Sequence, residues 1–193
     1  MSINANPLNP STVMGECFET AFGIKTYVEL INEVADKHFS ASDKFRKKFN
    51  AYYRVRQRKA DWYDAYYSLM IQQKKQEKTF EDLLKELAVY GNIEVSFSSK
   101  LLATADTNRP IWDQYVLKSL GVYNSWQKYN NKPKIDRIKK ASELYSEIED
   151  WYRIFLNSAD GKACIKQFDL LLPSYAKIIS DTKKIDYMLV SKR

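Results

Sequence analysis

Cysteine, histidine, glycine and proline are all scarce in this chain of 193 residues. With only Cys17 and Cys164, a disulfide scaffold is excluded, and buried thiols in a reduced compartment are the expected reading. A single histidine, His38, and no Cys-x-x-Cys pair leave no set of ligands for structural zinc. His38 follows a helical stretch and is expected at a helix end or on the surface. Five glycines and five prolines exclude a collagen-like fibre and a flexible linker. Neither G-x-x-x-x-G-K-S/T nor G-x-G-x-x-G occurs, which removes the usual sequence arguments for phosphate-loop and dinucleotide enzymes. No run of about 18 apolar residues is present, so no membrane-spanning helix is expected. The opening MSINANPLNPST has neither a basic nor an apolar signal region, and a cytoplasmic location without membrane contact is expected. No metal or cofactor is expected.

What is plentiful is charge and tyrosine. Lysine and arginine number 31 against 24 acids, a formal charge of +7, and 14 of the residues are tyrosines. The basic excess admits double-stranded DNA as a partner, although it also suits an ordinary soluble protein. A 45% hydrophobic content over this length supports one compact domain without staples, with two lobes able to meet near residues 75–80.

Apolar spacing of three and four residues predicts an all-α chain. Tyr27, Leu30, Ile31 and Val34 share one face of a helix over 23–37, and Ser42 or Asp43 can cap the next. Residues 44–73 contain no glycine or proline and predict one long helix or two joined at a kink. Thr79 and Asp82 form an N-capping signal ahead of Phe80, Leu83, Leu84, Leu87 and Ala88, with Gly91 as the stop. The alternating IEVSF, 93–97, can be read as a short strand, but a turn into a helix through SSKLLATA is preferred. Pro110 marks a turn before a helix carrying Val116, Leu117 and Leu120. A short helix is expected over 123–129. The strongest helix runs from about Pro133 to Leu156, with Ile135, Ile138, Ala141, Leu144, Tyr145, Ile148, Trp151, Tyr152 and Phe155 on its apolar side. Asn157 to Gly161 is expected to break it before a last region that includes Ile178, Ile179, Ile185, Met188 and Leu189.

Two segments carry chemistry. The first, KFRKKFNAYYRVRQRK at 44–59, contains no acid. Its candidate nucleic-acid contacts are Arg46, Lys47, Lys48, Arg54, Arg56, Arg58 and Lys59, since such side chains neutralise phosphates while interleaved aromatics stack on unpaired bases. Equally, the aromatics can face the core and leave the cations in water. A second group, Lys132 to Lys140, would add to this face only if it lay on the same side. The second segment is SFSSKLLATADTNRPIWDQYVLKSLG, 96–121. There Lys100 is a candidate amine nucleophile and Asp113 a candidate carboxylate to assist it. Lys100 snorkelling from an apolar face and Asp113 capping a helix are the competing structural roles. Trp112 and Tyr115 are candidates for a pocket wall or for core packing.

Lys100 in SSKLLAT, with Pro110 and Asp113 in RPIWD and Val116 beyond, resembles the helix-hairpin-helix DNA glycosylase superfamily, in particular its small bacterial 8-oxoguanine-glycosylase-like members. The ending KKIDYML, 183–189, resembles a recurrent ending of those relatives. The resemblance covers residues 80–125 and the tail. It implies the helix-hairpin-helix glycosylase fold, Lys100 as the Schiff-base lysine and Asp113 as the catalytic aspartate. Where the family has a hairpin of the form Leu-Pro-Gly-Val-Gly, this chain has YGNIEVSFSS with Gly91 alone, and its lysine-to-aspartate interval is short. Three functional classes follow: a helical protein of glycosylase-like fold without activity, a base-excision glycosylase or abasic lyase acting on damaged purines, and a non-enzymatic DNA- or protein-binding module.

Overall fold

Helix boundaries in this chain are set by a few capping side chains and by the places where buried faces must turn. The computed structural model describes Ile3, Leu8 and residues 21–191; Cys17 lies outside them. Among the described residues every regular element is helical: α1 (Ala21–Ala35), α2 (Asp43–Tyr53), α3 (Ala60–Gln73), α4 (Phe80–Ala88), α5 (Val95–Ala105), α6 (Gln114–Ser119), α7 (Tyr123–Gln127), α8 (Lys134–Asn157), α9 (Ala159–Leu171) and α10 (Asp181–Ser191), with one 3-10 turn at Pro173–Tyr175. The IEVSF segment forms no strand, because Val95 already begins α5.

The capping residues act as their chemistry requires. The Ser42 hydroxyl accepts the Phe45 amide at 3.2 Å. Thr79 and Asp82 form a reciprocal capping box, the Asp82 amide donating to Thr79 at 3.1 Å and the Thr79 amide to Asp82 at 3.0 Å. Ser158 ends α8 and caps α9, its hydroxyl accepting the Gly161 amide at 3.0 Å.

Three expectations are corrected. Residues 44–73 form neither one helix nor a kinked pair, but two helices parted by a loop. Arg54 enters the left-handed region at φ 55°, the Val55 amide reaches back to the Asn50 carbonyl at 2.9 Å, and buried Val55 pins the exit. This is a Schellman-type stop made without glycine. The break after α8 is the single residue Ser158, and Gly161 lies inside α9. A Cβ at Gly161 would stand 2.0 Å from the Phe155 carbonyl oxygen, so glycine is what lets α9 fold back so tightly. Ile135 and Ile178 fit the apolar periodicity but are exposed, since neither is covered by a neighbouring helix.

Two helices form the centre. In α5, residues Ser98 to Thr104 are all buried, and in α10 so are residues Thr182 to Leu189. Helix α5 packs on α1, α3 and α4, while α10 packs on α6, α8 and α9. Serine, alanine and threonine give α5 a thin profile, and two of its hydroxyls bond within the helix, Ser99 donating to the Ser96 carbonyl and Thr104 to the Lys100 carbonyl, while the buried Ser98 hydroxyl has no partner among the described residues. The remaining layers bring large aromatics to this centre, with Phe45, Phe49, Tyr66 and Tyr67 all fully buried between α2 and α3. The chain is a compact multi-helix domain whose innermost helices both carry lysine.

Candidate functional site

Lys100 occupies the middle of α5 rather than its start, and only 9% of it is exposed. Its ammonium lies 5.4 Å from the Phe97 ring centroid and 5.8 Å from that of Tyr53. Among the described residues no carboxylate stands within ion-pair distance of it. Burial holds its pKa below the ordinary lysine value. The Asp113 charge works against that fall, and the charges of Lys183 and Arg54 work with it.

Asp113 is the N-cap of α6, and its carboxylate accepts the Tyr115 amide at 2.9 Å. It therefore fills the structural capping role while adding its field at Lys100. The turn that carries it is fixed from four sides. The Trp112 amide donates to the Ser99 hydroxyl at 2.8 Å, next along the chain from Lys100. The Ile111 amide points at Asp186 at 3.5 Å, and the Tyr145 hydroxyl donates to the Pro110 carbonyl at 2.9 Å. Arg109 is clamped by Glu149 and Glu77. Trp112 itself is buried between Phe80 and Trp126 as packing, whereas Tyr115 is half-buried with Lys118 over its ring at 5.8 Å.

The basic segment divides into two kinds of residue. Arg46 pairs with Asp64 and lies over Tyr67, Lys48 pairs with Glu29 and Glu33, and Arg58 pairs with Glu94. These three serve the fold. Lys47 on α2, and Arg54, Arg56 and Lys59 on the following loop, are exposed, and among the described residues none has an acidic partner. The loop adjoins Lys100 through shared neighbours: Tyr53 precedes Arg54, and the Arg58 guanidinium lies 5.2 Å from the Phe97 ring that Lys100 also faces. The Arg58–Glu94 pair also ties it to the turn between α4 and α5, where Val89 and Tyr90 are exposed and Gly91 has φ 145°. Lys134 donates to the Ala88 carbonyl at the start of that turn, which brings the head of the second basic group to it.

The sequence reading missed the second charged layer. Lys183 and Asp186 are buried on α10, Nζ to Oδ2 3.7 Å, and the Lys183 ammonium lies 4.8, 5.0 and 5.9 Å from the ring centroids of Tyr27, Tyr187 and Tyr53. Burial pushes the Asp186 carboxyl up to about 6, against the pull of Lys183 and of the Tyr152 hydroxyl that donates to it at 2.7 Å. Burial lowers Lys183, but the surrounding phenolic oxygens and Asp186 outweigh it and its pKa is raised. The available signal was a lysine and an aspartate three apart, Lys183 and Asp186, flanking Ile185 in a tail that also carries Ile178, Ile179, Met188 and Leu189.

His38 is exposed, its amide bonded to the Asp36 carboxylate, and Cys164 is buried in α9. Among the described residues no helix is long and apolar enough to cross a membrane, and no group of three acids, histidines or cysteines is placed to hold a metal. An open cleft of about 530 Å³ between α8, α9 and the start of α10 is lined by Lys162, Lys166, Asp169 and Asp181, away from Lys100. No family model matches the chain, and no curated protein or solved structure matches it significantly.

Proposed function

We propose that this chain acts on DNA through a lysine amine, as a base-excision glycosylase or abasic lyase directed at damaged purines, in a fold of the helix-hairpin-helix glycosylase kind. The observation that carries the reading is Lys100: an ammonium almost wholly buried in mid-helix, faced by rings and, among the described residues, by no paired carboxylate, beside an exposed basic loop. A structural lysine buried to this degree is ordinarily paired. An amine that is desolvated and near other cations is instead the arrangement that yields a nucleophile.

Arg54, Arg56, Lys59 and Lys47 supply phosphate contacts, and the exposed Val89 and Tyr90 stand on the adjoining turn. On losing its proton, the Lys100 amine forms a bond to the sugar C1′. The pair of electrons in the glycosidic bond leaves with the purine, which takes up a proton. The nitrogen then loses a proton as the sugar ring opens to the imine, and water hydrolyses it. The Asp113 carboxylate stabilises the positive charge that develops on the sugar.

Borohydride trapping tests this directly, with duplexes bearing 8-oxoguanine or an abasic site. The intact protein should give a covalent adduct, Lys100→Ala should give none, and Asp113→Asn should trap about a hundredfold more slowly, the low end of general acid–base and electrostatic contributions. Absence of adduct together with salt-dependent duplex binding would replace this reading with the non-enzymatic DNA-binding module, which Asp113's capping bond favours.

A further inference from the structure

The KKIDYML segment has no part in the chemistry proposed for Lys100, yet it builds the buried half of α10. Two ammonium groups lie on the Tyr53 ring, Lys100 at 5.8 Å and Lys183 at 5.9 Å from its centroid. Their surroundings differ in kind. Lys183 has what an ammonium needs to keep its proton out of water: the Asp186 carboxylate and three tyrosine rings. Lys100 has two rings and the more distant field of a capping carboxylate.

We propose that Lys183 is a positioning residue for Lys100, a fixed buried cation whose repulsion frees the Lys100 amine to act as a nucleophile. The inference rests on the reading of Lys100 as an amine nucleophile. Asp186 keeps Lys183 charged and in place, and through the Ile111 amide it also steadies the turn that bears Asp113. The two lysines are driven in opposite directions, Lys100 down and Lys183 up, the pattern by which a protein assigns one group to carry a proton and another to release it.

Among the described residues, four charged or titratable groups facing Lys100 enter this balance. From α2 comes the Tyr53 phenol, from the loop that follows it Arg54, from the start of α6 Asp113, and from α10 Lys183. Arg54 is exposed, so water and salt screen its repulsion, whereas Lys183 acts across buried space. Burial is the largest cause of the fall at Lys100, and Asp113 opposes it with a pull larger than the push of either cation. Around Lys183 stand Tyr27 of α1, Tyr52 and Tyr53 of α2, and Asp186 and Tyr187 of α10. The Tyr27 hydroxyl is buried there without a hydrogen-bond partner among the described residues.

Trace acetylation of the full chain with acetic anhydride, read lysine by lysine by mass spectrometry across pH, measures the amine at Lys100 without DNA. In the intact protein Lys100 should titrate below exposed Lys47 and Lys59 in the same sample. Lys183→Met should move the Lys100 midpoint up by about one pH unit, the scale of a single like-charge interaction inside a protein. Lys183→Arg should leave it near its original value. Since Lys183→Met strands the Asp186 carboxyl, the double variant Lys183→Met/Asp186→Asn is measured as well and should show the same upward shift. An unmoved midpoint in these variants, with their helicity intact, overturns the proposal, as does a Lys100 that no pH makes reactive. Failure of borohydride trapping with the acetylation shift present would overturn the DNA chemistry alone.

Discussion

At the scale of single residues, the charged groups of the centre are separated by what each one touches. Lys48 between Glu29 and Glu33, and Arg58 against Glu94, are ion pairs at the rim of the fold. Asp186 is different, because its carboxyl is pushed up to about 6 by burial. Its folded value therefore lies above its unfolded value near 3.8, and the folded state holds the proton more tightly. The stabilisation from that proton is complete below about pH 4 and is lost as pH rises through about 6. Asp186→Asn keeps acceptors for Tyr152 and Ile111 but does not titrate. The unfolding free energy of the intact protein relative to this variant should then fall by on the order of 2 kcal/mol between pH 4 and pH 7. Urea denaturation at intervals across that range measures it, and a flat difference would show that Asp186 is not strained by burial.

At the scale of elements, two stops distinguish this chain from its periodicity. The α8–α9 hairpin turns on one residue because Gly161 has no Cβ to meet the Phe155 carbonyl. Gly161→Ala should cost about 1–3 kcal/mol, the range for forced overpacking against an unyielding backbone, visible as a lower melting temperature. A tolerated alanine would mean that the hairpin opens at little cost. At the end of α2, Arg54 holds a positive φ that favours glycine. Arg54→Gly relieves that strain, so it should melt at or above the temperature of the intact protein while binding duplex DNA more weakly. A loss of both together would mean that Arg54 serves the fold rather than the surface.

At the scale of the whole molecule, +7 of formal charge is not spread as one basic face. Three of the seven cations singled out in the 44–59 segment are paired within the fold, and the other four have no acidic partner among the described residues. Removing Arg56 and Lys59 as glutamines should weaken duplex binding and flatten its dependence on salt by up to about 0.9 in log–log slope per lost phosphate contact. Lys48→Gln should leave that slope unchanged while loosening α2 from α1. Filter-binding or anisotropy titrations at several salt concentrations separate these outcomes.

Helix class, most helix bounds and the greater part of the core were written locally, because capping side chains and a 3.6-residue period act between near neighbours along the chain. Thr79 with Asp82, Ser42, and the stripe from Ile138 to Phe155 are such cases. The stop at Arg54 was not legible, since any residue can be forced into the left-handed region when Val55 is pulled into the core. Lys100 and Asp113 could be named from their segment, but not the field around them. That field depends on bringing Lys183, Asp186, Tyr27 and Tyr53 from far along the chain to one buried place. Only tertiary packing removes the water between such groups; that burial lowers Lys100, while around Lys183 the tyrosines and Asp186 outweigh the same burial and raise it.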